Sequence, residues 1–400
     1  MLIEMFPAKS GDSFLVSFGE NIKEHMIIDS GFKDTYDNYL KEKLEKLSKD
    51  GHSINLLVIT HIDKDHIGGA LELLKTNGHS ENPKIIKIKE IWHNSYRQLE
   101  LNCNNGISNT QDHNEILQSI ILNGQSMINN QKGKISASQG SMLSSYILEN
   151  GYKWNGAYDG KAIVINNYER LVMSDDIRLI VLSPTGESLE KLKKRWRKEL
   201  ERKKSGFQFE DGKLFDDAYE FFMMRQDEKS DYGIKRKISA MESFSIDLTK
   251  PVELDTSETN ESSIAFIIEY KTHKVLFLGD SNPKIITTSL LELKEKENYD
   301  MNFDLVKISH HGSPHNTNME LLDVISSSRW VVSGNGEHGN PNIDVIKLIL
   351  NSNREIKKKL YFNYHSDWID LLNNEFLMSE YRYEVITPQI GESISIVLEG

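Results

Sequence analysis

Four side chains able to ligate a cation fall within six residues: His61, Asp63, Asp65 and His66, in the order His-x-Asp-x-Asp-His. Neutral imidazole and carboxylate suit zinc and other first-row divalent ions, and carboxylate oxygens also suit manganese and magnesium. The run Leu56-Leu57-Val58-Ile59 before them is apolar throughout, as a strand covered on both faces would be. Gly68-Gly69 and Ala70-Leu71-Glu72-Leu73-Leu74 follow, the pattern of a short amphipathic helix. A buried strand end is a rigid place on which to converge ligands. A calcium loop fits less well, because its closing Glu would fall at Leu74. A solvated polar turn would leave the strand and the glycine-helix unexplained.

Two later strands end in the same way. Lys274-Val275-Leu276-Phe277-Leu278 runs into Gly279-Asp280, and Leu305-Val306-Lys307-Ile308 runs into Ser309-His310-His311-Gly312-Ser313. Three strand ends bearing ligand-type residues point to convergence on one site.

Other elements must hold those ends in place. Leu2–Phe6, Phe14–Phe18 and His25–Gly31 read as a strand meander, with Asp29 either a structural cap or a residue beneath the site. Residues 33–50 carry Tyr36, Tyr39, Leu40, Leu44 and Leu47 at helical spacing. Further strands are expected at Ile85–Trp92 (ending in His93), Ile177–Pro184, Ile264–Tyr270 and Trp330–Asn335. Three more are expected near 360–364, 383–387 and 393–398. Residues 100–160, with a helix near 113–130, read as an elaboration over one face of the core. Residues 187–260 read as a second.

The chain has 400 residues with 48 basic and 60 acidic side chains, for a net charge of -12, which disfavours a broad cationic face for nucleic acid. A local exception is Lys191–Lys204, where nine basic residues stand against Glu199 and Glu201. It is either a solvated helix face or a surface guiding a polyanion. Lys235-Arg236-Lys237 adds a second basic cluster. The single Cys103 excludes an intrachain disulfide framework and a thiolate metal cage. With no signal-like N-terminus and no apolar run of membrane-spanning length, a cytoplasmic protein without membrane contact is expected.

Taken in order, Gly11-Asp12-Ser13, Ile28-Asp29-Ser30-Gly31, His61-x-Asp-x-Asp-His66, Leu182-Ser183-Pro184, Asn260-x-Ser-Ser263, Gly279-Asp280, Ser309-His-His-Gly-Ser313 and Ser333-Gly-Asn335 resemble metallo-β-lactamase-fold hydrolases. They are most similar to the hydrolase domain of ComEC-type competence proteins and its stand-alone relatives. Asp63 stands where the general motif has a second histidine. The resemblance implies an α+β fold, an αββα sandwich of two mixed β-sheets flanked by helices, formed by residues 1–400 as one domain with the two insertions.

It also implies two divalent metal ions, zinc or manganese. His61 and Asp63 would face the first; Asp65, His66 and one of His310 and His311 the second; and Asp280 would bridge them. The extra histidine usual between the first motif and the bridging aspartate has no clear equivalent. Such ions lower the pKa of water from about 15.7 toward about 7, giving a nucleophile at neutral pH. Asp65 would orient it or take its proton, and the spare histidine of the 310/311 pair would protonate a leaving oxygen.

Lys307, Ser313 and Asn340 are candidate substrate donors, and His338 a candidate replacement for a histidine often found before Pro341. The activity implied is a phosphodiesterase or nuclease. The alternatives are a hydrolase of small phosphoesters, lactones or thioesters, and a partner subunit of a bacterial defence-type assembly docking through the insertions.

Overall fold

Residues 1–19, 24–99, 143–203 and 252–399 are described by the computed structural model. The strands of its N-terminal half are β1 (Leu2–Met5), β2 (Ser13–Phe18), β3 (Glu24–Ser30), β4 (Ser53–Val58), β5 (Ile91–Trp92), β6 (Leu171–Ser174) and β7 (Ile177–Ser183). There follow β8 (Ala265–Tyr270), β9 (His273–Phe277), β10 (Asn302–Phe303), β11 (Leu305–Lys307), β12 (Ser326–Ser327) and β13 (Arg329–Val332). The last are β14 (Lys358–Phe362), β15 (Tyr383–Ile386) and β16 (Ile394–Val397). The helices that matter here are α1 (Lys41–Lys49), α2 (Lys64–Asn77), α3 (Gly186–Lys203), α4 (Glu258–Glu261), α5 (Pro283–Glu297) and α6 (Ile343–Asn351).

Two mixed sheets stack face to face. The first has the order β16-β1-β2-β3-β4-β5, and the second β15-β14-β13-β11-β9-β8-β7-β6. Within the first, β1, β2 and β3 are antiparallel neighbours, while β3, β4 and β5 run parallel. In the second, β9, β11, β13 and β14 are parallel, so their C-terminal ends emerge along one edge.

The alternation of strand side chains produces the layers. Phe14, Val16 and Phe18 of β2 point between the sheets, where they join Leu56 and Val58 of β4 and Phe266, Val275 and Phe277 of the second sheet. The Phe14 and Phe277 rings meet edge-on at 5.4 Å across the sandwich. Leu15, Leu57 and Ile59 point the other way, onto Leu44 and Leu47 of α1 and Ile67, Leu73 and Leu74 of α2. On the far side Leu276, Val306 and Trp330 pack against Ile286 and Leu290 of α5 and Ile346 and Ile349 of α6. The result is an α+β sandwich of two mixed sheets flanked by helices. Both faces of each sheet are buried at its centre, which is why β4, β8 and β9 read as near-continuous apolar runs.

Two expectations change. The helix expected at Ala70–Leu74 is longer: it begins at Lys64, so Asp65 and His66 sit in its first turn rather than in a loop. Its glycines permit this. A Cβ on Gly69 would lie 2.0 Å from the Ser30 carbonyl oxygen, so only glycine lets α2 pass so close to the end of β3.

The strand expected over 85–92 shrinks to Ile91–Trp92. Residues 87–90 still bond to β4 through the backbone, and the buried Asn77 side chain holds the two residues before them. Its Oδ1 accepts from the Ile85 and Ile86 amides (2.9 and 3.0 Å), and its Nδ2 donates to the Ile86 carbonyl (2.9 Å). The expected helix near 113–130 and the cluster Lys235-Arg236-Lys237 lie outside the described residues.

Candidate metal centre

The three ligand-bearing strand ends meet at one edge of the sandwich. β9 and β11 are adjacent and parallel, so Asp280 and the His310–His311 pair leave the same edge of the second sheet. β4 supplies His61 from the first sheet, and the Ile264 amide donates to the Thr60 carbonyl (2.8 Å), tying the sheets together there.

Asp280 is the hub. Its Oδ2 lies 3.5 Å from Nε2 of His66, 3.6 Å from Nε2 of His311, 3.7 Å from Nε2 of His61 and 3.8 Å from Nε2 of His310. Asp63 comes within 3.5 Å of His61 Nε2, and Asp65 within 3.5 Å of His311 Nε2 and 3.8 Å of His66 Nε2. Asp63 occupies the N-cap position of α2, yet its side chain makes no capping bond. An aspartate there ordinarily accepts from the first-turn amides; this one lies toward His61 instead.

All four imidazoles are held at Nδ1 and present Nε2. His66 Nδ1 faces Asp29 Oδ2 at 2.8 Å, and Asp29 also accepts from the Thr60 amide (2.8 Å) and hydroxyl (2.7 Å). His61 Nδ1 lies 3.0 Å from the Thr60 hydroxyl. His311 Nδ1 is 3.1 Å from the Ser333 hydroxyl and 3.4 Å from Asp12. His310 Nδ1 is 2.8 Å from Asn316 Oδ1 and 3.4 Å from Asp255. A partner at the outer nitrogen fixes ring orientation and tautomer, as in metal-ligating histidines generally.

The inner atoms fit a divalent cation. Nε2 of His61, His66 and His311 and Oδ1 of Asp280 are buried and have no hydrogen-bond partner among the described residues. Such groups cost about 1–3 kcal/mol each when left so. Two overlapping groups have ligand atoms spaced for an ion: His61, His66 and Asp280, and Asp65, His66 and His311. A potential binuclear metal-binding site is therefore present. A third group, Asp12, Asp29 and His66, lies deeper. There Asp29 already accepts at both oxygens, and Asp12 is paired with Lys307.

Electrostatics bind the cluster together. Burial would raise Asp280, but the imidazoles of His66, His311, His310 and His61 overcome it and hold the carboxylate well below its usual range. Burial likewise opposes a charged His66, while Asp280, Asp29 and Asp65 hold its proton well above the usual range. His310 is held up at about 9: burial works against it, and Asp280 and Asp255 prevail. Without cations, protons supply the positive charge that the carboxylates demand.

His310, His311 and Gly312 all adopt left-handed backbone (φ 45°, 53° and 74°). For the two histidines this conformation costs of order 1–2 kcal/mol each. It splays the pair. His311 turns inward, its side chain 5% exposed, while His310 stays 30% exposed at the opening.

The site thus brings together His61, Asp63, Asp65, His66, Asp280, His310 and His311. It does not bring Lys307 to the surface. That side chain is buried against Asp12 and donates to the Gly279 carbonyl (3.2 Å), so it is not placed as a substrate donor. Ser313 is also buried, its hydroxyl accepting from the His315 amide (3.2 Å). Asn340 anchors a turn through its carbonyl, which accepts from the Gly336 amide (3.0 Å), and His338 is exposed. His93 stacks on Trp154 and belongs to none of the ligand groups.

Sequence reasoning gave no role to Thr60, Asp255, Asn316 or Ser333. Asp12 and Ser333 did stand inside quoted motifs. Asp255 lay in an acidic, Ser/Thr-rich stretch with no local signal.

A sequence profile of the metallo-β-lactamase superfamily matches residues 7–94, from the loop before Asp12 through Asn94, and the sandwich of two mixed sheets is consistent with that type of fold. Among solved structures, Zn(2+)-bound PqqB from Methylobacterium extorquens is similar over 100% of both chains, with 9% identity and a TM-score of 0.40. No curated protein matches. Among the described residues, no helix is long and apolar enough to cross a membrane.

Proposed function

We propose that the protein is a metal-dependent phosphodiesterase, of the kind that the ComEC-type hydrolase domain represents, acting in the cytoplasm with zinc or manganese. One observation carries this: four imidazole Nε2 atoms surround Asp280 Oδ2, each ring anchored at Nδ1. In this reading His61 and Asp63 would hold one cation, Asp65, His66 and His311 would hold the other, and Asp280 would serve both. The cations would acidify water and neutralise developing charge on a phosphoryl oxygen. Asp65, 19% exposed, orients the nucleophile and accepts its proton. His310, outside both ligand groups and facing the opening, donates a proton to the leaving oxygen.

Nuclease activity is one form of this reading, and a small phosphodiester is the other. The cations at the start of α3 favour the second. Lys191 pairs with Glu187 (3.2 Å) and Glu261 (3.4 Å), Lys193 with Glu190 (4.0 Å) and Arg195 with Glu258 (2.9 Å). Side chains from 196 to 203 lie outside the described residues.

The test is hydrolysis of bis-p-nitrophenyl phosphate, single-stranded DNA and RNA with zinc or manganese added. The quadruple neutralisation of Lys193, Lys194, Arg197 and Lys198 is assayed beside the parent. A guiding helix requires weaker oligonucleotide cleavage and a flatter salt dependence with the small substrate unchanged. Cleavage of none of the substrates with either metal would defeat the phosphodiesterase reading.

A further inference from the structure

Beneath the ligands lies a buried charge pair that the proposed chemistry does not use. Lys307, Asp12 and Asp280 are 1%, 1% and 3% exposed. The Lys307 ammonium is bound to the Asp12 carboxylate and donates to the Gly279 carbonyl, yet stands 4.0 Å from Asp280 Oδ1, beyond hydrogen-bond reach. Asp12 is itself fixed from behind by the Ser333 hydroxyl. Asp280 Oδ1 thus has a cation in front of it that is engaged elsewhere.

Charge explains why this spacing matters. Around the site Asp12, Asp29, Asp63, Asp65, Asp255 and Asp280 face one ammonium among the described residues, an excess of negative charge that divalent cations would offset. A lysine free to move would collapse onto Asp280, because a buried carboxylate and ammonium in contact attract strongly. It would then compete with any metal for the carboxylate at the centre of the cluster.

We propose that Asp12 is a positioning residue that restrains Lys307 from Asp280, keeping the carboxylate open to metal. This rests on the metal-centre reading above and extends it to a residue outside both ligand groups. Without Lys307, Asp12 keeps the Ser333 hydroxyl and the His311 imidazole as partners, so the lysine can be removed separately.

The experiment is competition of purified protein against a chromophoric chelator for Zn²⁺ alone and, separately, Mn²⁺ alone. The proteins are the parent, Asp12→Asn, Lys307→Met and the double variant, with circular dichroism and thermal unfolding of each. Asp12→Asn keeps the shape and frees the ammonium, so metal affinity falls about 10–100-fold, as loss of an outer-shell partner does elsewhere. Lys307→Met removes the competitor and holds metal at least as tightly as the parent. The double variant regains most of what Asp12→Asn loses.

If Asp12 acted only by holding His311, the double variant would stay as weak as Asp12→Asn, which would overturn the proposal. Should Asp12→Asn fail to fold, Lys307→Met alone decides: a tenfold weaker affinity than the parent overturns it. A parent that binds neither metal overturns the metal-centre reading as well, whereas a parent that binds metal while the variants break this order overturns only the role of Asp12.

Discussion

Replacing Asp29 with Asn tests the outer layer of the site at a single atom. Asp29 Oδ1 accepts from the Thr60 amide, and Oδ2 accepts from the Thr60 hydroxyl and faces His66 Nδ1, all within 2.7–2.8 Å. With a carboxylate there, Nδ1 carries the proton and Nε2 offers its lone pair to the site. Asparagine has only one acceptor oxygen. If that oxygen stays on the Thr60 amide, the NH₂ faces His66 Nδ1, which must become an acceptor. The imidazole proton then moves to Nε2 and blocks the ligand atom. If the amide is flipped, its NH₂ opposes the buried Thr60 N–H, and leaving such donors unpaired costs about 1–3 kcal/mol.

The flip is the costlier arrangement, so the first is expected, and it weakens metal binding by about 10–100-fold, the range for loss of an outer-shell partner. By the conversion of 1.36 kcal/mol per decade this is roughly 1.4–2.7 kcal/mol. The assay is chelator competition with zinc, alongside thermal unfolding of the metal-stripped protein. Metal-free stability should fall by no more than about 1 kcal/mol, because the backbone bond and the packing persist. A zinc affinity within twofold of the parent, in a folded Asp29→Asn protein, would refute the tautomer reasoning.

Three further outcomes follow from the same physics. Stripping divalent ions should lower the unfolding temperature, since ligand at about 100 times its Kd adds about 2.7 kcal/mol; a scan unchanged by chelator and by zinc would count against a metal centre. Gly69→Ala should destabilise by about 1–3 kcal/mol, read from the urea midpoint, because its Cβ would lie 2.0 Å from the Ser30 oxygen; a neutral variant would mean that α2 shifts freely.

His25 is held down at about 4 by burial, with His52 and Lys43 adding to it. Between pH 6.5 and 4 the unfolded chain therefore binds a proton that the folded chain refuses. Stability from this group is complete above pH 6.5 and is lost as pH falls toward 4, by up to about 3 kcal/mol. The parent should lose more stability than His25→Gln between pH 7 and 5, and equal losses would contradict it.

The sequence by itself determined the fold class and pointed to most of the candidate ligands that the structure brings together. Strand ends carry this signal because a buried strand is a continuous apolar run, and His61, Asp63, Asp65, His66, Asp280 and the 310/311 pair each follow such a run directly. The length of α2 escaped it, because Gly68-Gly69 reads as punctuation until the close approach to Ser30 is known. So did the truncation of the 85–92 strand, since the Asn77 side chain that holds Ile85 and Ile86 lies well upstream.

Only the tertiary structure separated His310 from His311, neighbours of one type whose divergence comes from two left-handed residues in succession. It alone turned Lys307 from a candidate substrate donor into a buried cation, because its partner Asp12 is 295 residues away along the chain. It alone gave Asp255 and Asn316 to His310, and Ser333 to His311. Strand-end ligands are set by local pattern, whereas the groups that hold and charge them are set by which strands lie side by side, and spacing along the chain carries no trace of that.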